Sequence, residues 1–275
     1  FYESIPCIFI TGQINSNFLK PHESIRQVGF QETDVVSITK SITKYAKMIT
    51  DPNKIKYELE KSFSLCNSGR KGPVLLDIPT DIQKVDIEVN KLKGIEAKYN
   101  RQVFNLKKVK TSINKYLKDL KKSKRPVLLI GGGAQLANCS SKILKISKKL
   151  NIPCFATWNG MDTITSDFTL YGGRVGTYGG PGRNLGIQNC DLLFGLGTRV
   201  SGRITGGNPK SFAREAKKYI VDIDPALLTR KYQQVKIDEN IYCDLNIFLN
   251  IFLDKINKID KSKIDFDDWN KKVKL

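Results

Sequence analysis

Glycine, arginine and aspartate recur where they could hold a phosphate-bearing ligand. An apolar run ends in three glycines at 131–133, and seven glycines lie between 172 and 186 beside Arg174. Glycine allows a backbone to approach a ligand closely, and arginine pairs strongly with phosphate oxygens. Asp222 and Asp224 close a later apolar run, where a carboxylate could accept hydrogen bonds from a ribose. These residues predict a nucleotide-shaped groove.

The glycine triplet also has a plainer interpretation. Its spacing differs from the G-x-G-x-x-G pattern of dinucleotide-binding loops, and a tight strand-to-helix turn needs glycine as well. Gly197-Thr198-Arg199 follows another strand-like run and favours the ligand interpretation, since arginine again stands beside flexible backbone. The residues alone leave both interpretations open.

Other kinds of site find little support. His22 is the only histidine, and no G-x-S-x-G nucleophile motif occurs. The six cysteines are dispersed without a C-x-x-C pair, so we expect free thiols in a reducing, cytoplasmic compartment rather than a metal or redox site. No apolar run reaches the roughly 18 residues of a membrane span, so we expect no membrane partner. The chain starts without Met or a basic leader, which suggests a fragment.

Positive charge is concentrated in one stretch. The chain carries 46 Lys and Arg against 27 Asp and Glu, a net charge of +19. Residues 91–125 hold 13 of these basic side chains and 2 acidic ones, more than half of the excess. Such a stretch could bind nucleic acid in a salt-sensitive way, but no zinc-finger or RNA-recognition signature accompanies it. We therefore favour a solvated linker and expect no nucleic-acid partner.

Apolar runs alternate with amphipathic stretches in both halves of the chain. We predict buried strands at 6–10 and 73–79, further strands at 127–130, 153–157, 191–197 and 219–223, and helices at 51–69, 106–122, about 143–150 and 244–253. Strands separated by helices form parallel sheets. The predicted fold class is α/β, with helices flanking parallel sheets and a Rossmann-like, doubly wound sheet over about 126–256. In the first helix, the spacing predicts that Ile55, Leu59, Phe63 and Cys66 form the buried face.

Several motifs together resemble the thiamine-diphosphate-dependent enzymes of the acetolactate synthase type. They are Thr11-Gly12-Gln13, Gly29-Phe30-Gln31-Glu32, Ile42-Thr43-Lys44, Ser68-Gly69-Arg70, Asp77-Ile78-Pro79-x-Asp81, Gly131-Gly132-Gly133, Gly197-x-Arg199 and Asp222-x-Asp224. They follow the family's order over about residues 1–255. Linked motifs in order are far more specific than one glycine loop.

The resemblance implies a domain organisation. Residues 1–92 would be the C-terminal half of the pyrimidine-binding domain, 93–122 a basic linker and helix, 123–256 the central domain (DHS-like), and 257–275 the start of a linker to a diphosphate-binding domain. The family's catalytic glutamate and its Gly-Asp-Gly…Asn segment, which holds Mg²⁺ and the diphosphate, would lie outside this chain. We therefore expect a fragment that is inactive on its own.

The resemblance also implies an activity. Thiamine diphosphate would decarboxylate a 2-keto acid such as pyruvate, and the resulting enamine would be ligated to a second carbonyl. Phe30 and Gln31 match residues at the family's active-site entrance and are assigned substrate positioning; without the resemblance, Phe-Gln-Glu could mark only a loop-to-helix start. The intact enzyme is expected to be a dimer or tetramer, with a small regulatory subunit as a further partner. Branched-chain amino-acid and sugar or capsule metabolism both stay open as pathways.

Acetolactate synthases of this family carry FAD in the central domain. The matching positions are Gly132, Gly133, Thr157, Gly197, Arg199, Asp222 and Asp244, and no metal ligand is assigned. Three sites depart from the family: Thr177-Tyr178 replaces Met-His between two glycines, Ser201 replaces an aspartate, and Thr80 replaces a lysine. These departures leave the identity of the substrate open. The alternative function is that of a non-catalytic nucleotide- or FAD-binding protein that retains the central-domain fold.

Overall fold

The chain forms two compact units. The computed structural model describes residues 1–96, 102–259 and 265–274. The units are Phe1–Val103 and Phe104–Leu275. Parts of the predicted linkers 93–122 and 257–275 lie outside the described residues. The unit boundary falls inside the first of these predicted linkers, so that its helix belongs to the second unit.

The first unit contains a three-stranded parallel sheet in the order β1-β3-β2. Its strands are β1 (Ile8–Gln13), β2 (Tyr45–Met48) and β3 (Val74–Pro79), and its helices are α1 (Val35–Thr39), α2 (Ile55–Asn67) and α3 (Thr80–Lys84). The predicted strand at 73–79 is the buried central strand. The predicted helix start is also present, because the Asp51 side chain accepts the N–H of Asn53 at 3.0 Å just before α2.

The burial predicted for the strand at 6–10 is wrong. This segment forms β1, which lies at the edge of the sheet. Phe9 and Ile10 are 54% and 60% exposed. An apolar run alone does not distinguish an inner strand from an edge strand, because both are built from the same residue types.

The face predicted for α2 is also wrong in part. Cys66 is buried as expected, but Leu59 and Phe63 are exposed, while Glu58 and Ser62 are buried. The Tyr45 hydroxyl donates a hydrogen bond to Glu58 Oε2 at 2.6 Å. This contact satisfies the carboxylate and allows a polar side of the helix to face the sheet.

The second unit contains a six-stranded parallel sheet in the order β6-β5-β4-β7-β8-β9. Its strands are β4 (Pro126–Ile130), β5 (Cys154–Ala156), β6 (Tyr171–Arg174), β7 (Leu192–Leu196), β8 (Lys217–Asp222) and β9 (Glu239–Tyr242). Counted within the unit, this is the 3-2-1-4-5-6 order of doubly wound nucleotide-binding sheets. The predicted fold class is confirmed. The sequence did not predict β6 and β9, which have four residues each.

Helices cover this sheet and complete its core. They are α4 (Leu106–Leu120), α5 (Gly132–Leu136), α6 (Ser140–Leu150), α7 (Pro181–Gln188), α8 (Gly202–Thr205), α9 (Leu245–Ile256) and α10 (Asp267–Val273). The Tyr116 ring of α4 is fully buried 4.3 Å from the Phe194 ring of β7, measured between centroids, and Phe248 and Phe252 of α9 complete the cluster. None of the described helices is long and apolar enough to cross a membrane.

Polar contacts fix α4 to the last two strands. Glu239 of β9 accepts hydrogen bonds from Ser112 Oγ at 2.7 Å and from Lys115 Nζ at 2.5 Å. Asp119 accepts from the Tyr219 hydroxyl and pairs with Lys217 at 2.6 Å. The buried side of this helix therefore packs into the second unit, which explains why a lysine-rich segment is an ordered part of it.

The C-terminal helix α10 packs on the same unit. Phe266 and Trp269 are both buried. The Trp269 Nε1–H donates to the carbonyl of Pro126, at the start of β4, at 3.0 Å. The resemblance implies the start of a linker over 257–275, and within that segment the two aromatic side chains of α10 anchor the chain to the core.

Candidate functional site

The second sheet has one point where its connections change direction. From β4 the chain winds outward through β5 to β6 and then returns to β7, which lies on the other side of β4. Connections leave the carboxyl ends of β4 and β7 in opposite directions, and ligands of such folds bind in the crevice that this creates. The predicted motifs 131–133 and 197–199 follow β4 and β7 directly.

The glycines at this point pack against each other. Gly133 donates its N–H to the carbonyl of Gly197 at 3.0 Å. A Cβ on Gly131 would lie 2.1 Å from that carbonyl oxygen, and one on Gly132 would lie 3.0 Å from the Asn159 side chain. Gly197 itself has φ +60. Glycine is therefore needed at these positions because other parts of the protein occupy the space of a Cβ. The tight-turn interpretation is sufficient to explain the three glycines.

The remaining predicted cofactor residues lie at the same edge of the sheet. Thr157, buried after β5, donates its N–H to the Ile130 carbonyl at 2.9 Å. Asp222 ends β8, and its Oδ1 accepts the N–H of Asp224 at 2.9 Å. Asp244 caps α9 by accepting the Ile247 N–H at 3.0 Å. Arg199 is exposed after β7.

The glycine-rich segment after β6 is tied to the loop after β7. Gly176 has φ +117, and a Cβ there would lie 2.4 Å from the Arg203 carbonyl oxygen. The Thr177 N–H donates to that oxygen at 2.8 Å. The Asn184 side chain bonds both the N–H and the carbonyl of Gly176 at 3.0 Å. These contacts join the segment after β6 and the segment after β7 into one rim at the carboxyl edge of the sheet.

This rim contains a small pocket that combines aromatic and cationic side chains. Trp158 and Tyr178 meet edge to face with ring centroids 6.2 Å apart, and both rings are exposed. Arg174 and Arg203 line the same pocket. Guanidinium groups suit phosphate or carboxylate, and aromatic rings suit a planar ligand group. Trp158 was not predicted as a site residue. The sequence signal that could have identified it is its position directly after the strand predicted at 153–157.

A turn in the first unit presents Phe30 and Gln31. Glu32 donates its N–H to the Gly29 carbonyl at 3.2 Å, and Gln31 has φ +66. A positive φ at the third residue is characteristic of a type II turn. Phe30 is 87% exposed. Both predicted positioning residues thus lie at the outside of a turn, before α1 begins.

Buried polar groups hold the segments on either side of this turn. Asp77 of β3 is fully buried and accepts hydrogen bonds from Thr11 Oγ1 at 2.7 Å and Gln13 Nε2 at 3.1 Å. Gln13 Nε2 also donates to the Thr33 carbonyl at 2.7 Å. These bonds explain why the motifs around 11–13 and 77–81 occur together.

Asp81 fixes Ser16, in the connection that leads from β1 to this turn. Its carboxylate accepts the Ser16 hydroxyl at 2.5 Å and the Ser16 N–H at 2.8 Å, and these bonds lower the pKa of Asp81. Thr80 donates its hydroxyl to the Gln13 carbonyl at 2.8 Å. Within the described part of the chain, no group of three or more His, Cys, Asp or Glu could hold a metal ion.

Comparison with known proteins places the second unit in a family. Residues 113–252, about half of the chain, match the model of the thiamine pyrophosphate enzyme central domain. A probable acetolactate synthase large subunit of Methanocaldococcus jannaschii is 33% identical over 90% of this chain and 39% of its own length. The acetolactate synthase large subunit of Haemophilus influenzae is 30% identical over 98% of this chain and 45% of its own length. The large subunit of acetolactate synthase isozyme 2 of Escherichia coli is 28% identical over 94% of this chain and 44% of its own length.

The chain thus spans less than half the length of these relatives. The similarity nevertheless runs through both units, and the central-domain match coincides with the doubly wound sheet and its glycine-lined crossover point. The chain belongs to the thiamine pyrophosphate enzyme family, and residues 113–252 of its second unit match that family's central domain.

Proposed function

We propose that this chain is part of a thiamine-diphosphate-dependent carboligase of the acetolactate synthase type. The observation that carries the proposal is the similarity to acetolactate synthase large subunits over 90% or more of the chain, through both units. The reaction would release carbon dioxide from a 2-keto acid such as pyruvate and join the remaining acyl carbon to a second carbonyl. Thiamine diphosphate supplies the carbanion for this chemistry when it is bound.

The residues of this chain would orient the substrate. Phe30 offers an exposed apolar ring, and Gln31 offers an amide that can donate to and accept from a keto acid. Because the turn that carries them is fixed by hydrogen bonds, little conformational entropy is lost when a substrate is held there. We assign both residues a positioning role and no proton transfer.

The central domain is proposed to hold FAD. The groups at the carboxyl edge fit a dinucleotide: Arg174 and Arg203 suit a diphosphate, Arg199 adds a further exposed cation, and the Trp158 and Tyr178 rings suit a planar system. The predicted set Gly132, Gly133, Thr157, Gly197, Asp222 and Asp244 would form the floor and the ribose side of this site. The glycines among these residues would support the site by allowing the segments after β4 and β7 to pack closely beneath the cofactor.

Other components of the proposed enzyme follow from the same family assignment. Mg²⁺ and the cofactor diphosphate would be held by a further domain, in keeping with relatives more than twice as long as this chain. We also propose the domain limits given above, a homo-oligomer, and a small regulatory subunit as partner. A cytoplasmic location agrees with the six cysteines, all of which are free thiols.

The proposal is tested by turnover. The intact protein is supplied with pyruvate and a panel of other 2-keto acids, and carbon dioxide release is measured with and without thiamine diphosphate and Mg²⁺. Release that requires both cofactors supports the proposal. A protein that retains a flavin or adenine nucleotide but releases no carbon dioxide from any 2-keto acid would instead be the non-catalytic nucleotide-binding protein.

A further inference from the structure

The connection from β1 to α1, residues 14–34, is a loop closed by one carboxylate. Glu32 accepts the N–H of Lys20 through Oε1 at 2.8 Å and the N–H of Val28 through Oε2 at 2.9 Å. These donors lie twelve and four residues before it in the chain. Both oxygens of one side chain therefore join the two arms of the loop immediately beside the turn at 29–32.

The turn is also seated on the start of the loop. A Cβ on Gly29 would lie 2.2 Å from Ile14 Cδ1 and 3.0 Å from the Phe18 Cβ, so the turn backbone touches these side chains directly. Gly29 in turn accepts the Glu32 N–H. Side chain and backbone of Glu32 thus fix both the position of the turn and its type, with Gln31 in the left-handed region.

The two hydrogen bonds from backbone N–H groups to the Glu32 carboxylate are stronger than hydrogen bonds between neutral groups. A carboxylate that accepts backbone N–H groups makes charge-assisted hydrogen bonds. The bonds from Lys20 and Val28 lower the pKa of Glu32, so the carboxylate stays charged at neutral pH. Glu23 lies in the same loop and is exposed, which makes it a matched control.

We propose that Glu32 is a positioning residue that holds Phe30 and Gln31 in their substrate-facing conformation. This inference rests on the proposed function, because it assigns Glu32 an effect on turnover through its two neighbours. Glu32 itself faces the loop backbone and takes no part in bond making.

Two variants of the intact protein separate this role from a general effect of charge. Glu32→Ala is expected to accelerate amide hydrogen exchange at Lys20 and Val28 by about tenfold or more, because both amides lose their acceptor. It should lower kcat/KM by about tenfold or more through loss of positioning. Glu23→Ala should change both quantities less than about twofold.

A double-mutant cycle identifies the route of the effect. If Glu32 acts through the turn, Glu32→Ala should lower kcat/KM less than about twofold when Phe30→Ala and Gln31→Ala are already present, because residues that act through one another do not act additively. Independent, multiplicative losses would overturn the proposal, as would unchanged exchange at Lys20 and Val28, or normal turnover despite faster exchange. A wild-type protein without cofactor-dependent turnover would refute the proposed function itself, and the exchange experiment would still decide whether Glu32 orders the loop.

Discussion

Replacing Gly131 by alanine should destabilise the second unit. The added Cβ would lie 2.1 Å from the Gly197 carbonyl oxygen, 2.6 Å from Thr198 Cα and 2.7 Å from the Gly197 carbonyl carbon. All three are backbone atoms, so no side-chain rotation relieves the contact. The carboxyl ends of β4 and β7 must therefore separate.

The size of the effect follows from this geometry. Overpacking in a close-packed interior costs about 1–3 kcal/mol, and three backbone contacts place Gly131→Ala near the upper limit. In a domain of this size each kcal/mol lowers Tm by roughly 2–4 °C, so the steric cost alone corresponds to a decrease of about 6–12 °C. The loss of glycine flexibility in the unfolded chain works the other way by about 0.4–1 kcal/mol.

Thermal unfolding of Gly131→Ala and Gly207→Ala provides the measurement. A Cβ added to Gly207 would meet no atom of the described residues within 4 Å, and the φ of Gly207 is not positive, so its substitution should leave Tm unchanged or slightly raised. The difference between the two variants isolates the steric cost, because both lose the same backbone freedom. Equal Tm values would refute the conclusion that the glycine triplet serves close packing of the two strand ends.

Three further predictions concern other parts of the chain. Trp269→Ala should cost about 3–5 kcal/mol in chemical denaturation, because it empties a buried site and removes the bond to Pro126, whereas Lys272→Ala on the same helix should stay within about 0.5 kcal/mol. At pH 8 a thiol reagent should label half-buried Cys7 before Cys154, whose pKa burial raises to about 12, so that Cys154 stays protonated until the chain unfolds; equal labelling rates would contradict this. Phe30→Ala should change unfolding free energy by less than about 0.5 kcal/mol but lower kcat/KM in the intact enzyme, as kinetics and denaturation of the same sample would show.

The sequence was most informative where an element is buried on all sides. The runs at 127–130 and 191–197 became inner strands β4 and β7, because a continuous apolar run with glycine after it has few other solutions in an α/β chain. The helix predicted at 106–122 was also found, as α4. Its partner could not be predicted, since β9 is only four residues long and carries Glu239, which bonds Ser112 across 127 residues of sequence.

Burial in the first unit was harder to predict. Leu59 and Phe63 have the spacing of a buried stripe, yet the hydrogen bond from Tyr45 to Glu58 turns another side of α2 towards the sheet. Periodicity records apolar positions and contains no information on long-range polar contacts. For the same reason the role of Glu32 in closing the 14–34 loop became visible only when Lys20 and Val28 were located in space.

The glycine triplet illustrates how far a motif can be interpreted. Sequence left two interpretations, a phosphate cradle and a tight turn, and the contact of Gly131 with Gly197 supports the second. Both are compatible with a ligand in the crevice, because Arg174 and Arg203 line a pocket at the same edge of the sheet. Their aromatic neighbours, Trp158 and Tyr178, come from different loops, so only the fold brings them together.

The proposed carboligation is tested most directly by following carbon from substrate to product. The intact protein is incubated with pyruvate labelled with ¹³C at the keto carbon, together with thiamine diphosphate and Mg²⁺, and the products are identified by NMR. We predict a product with two adjacent labelled carbons, formed with one carbon dioxide for every two pyruvates and only when the cofactor is present. Labelled aldehyde without a new carbon–carbon bond, or no conversion of pyruvate or any other 2-keto acid, would contradict the assignment.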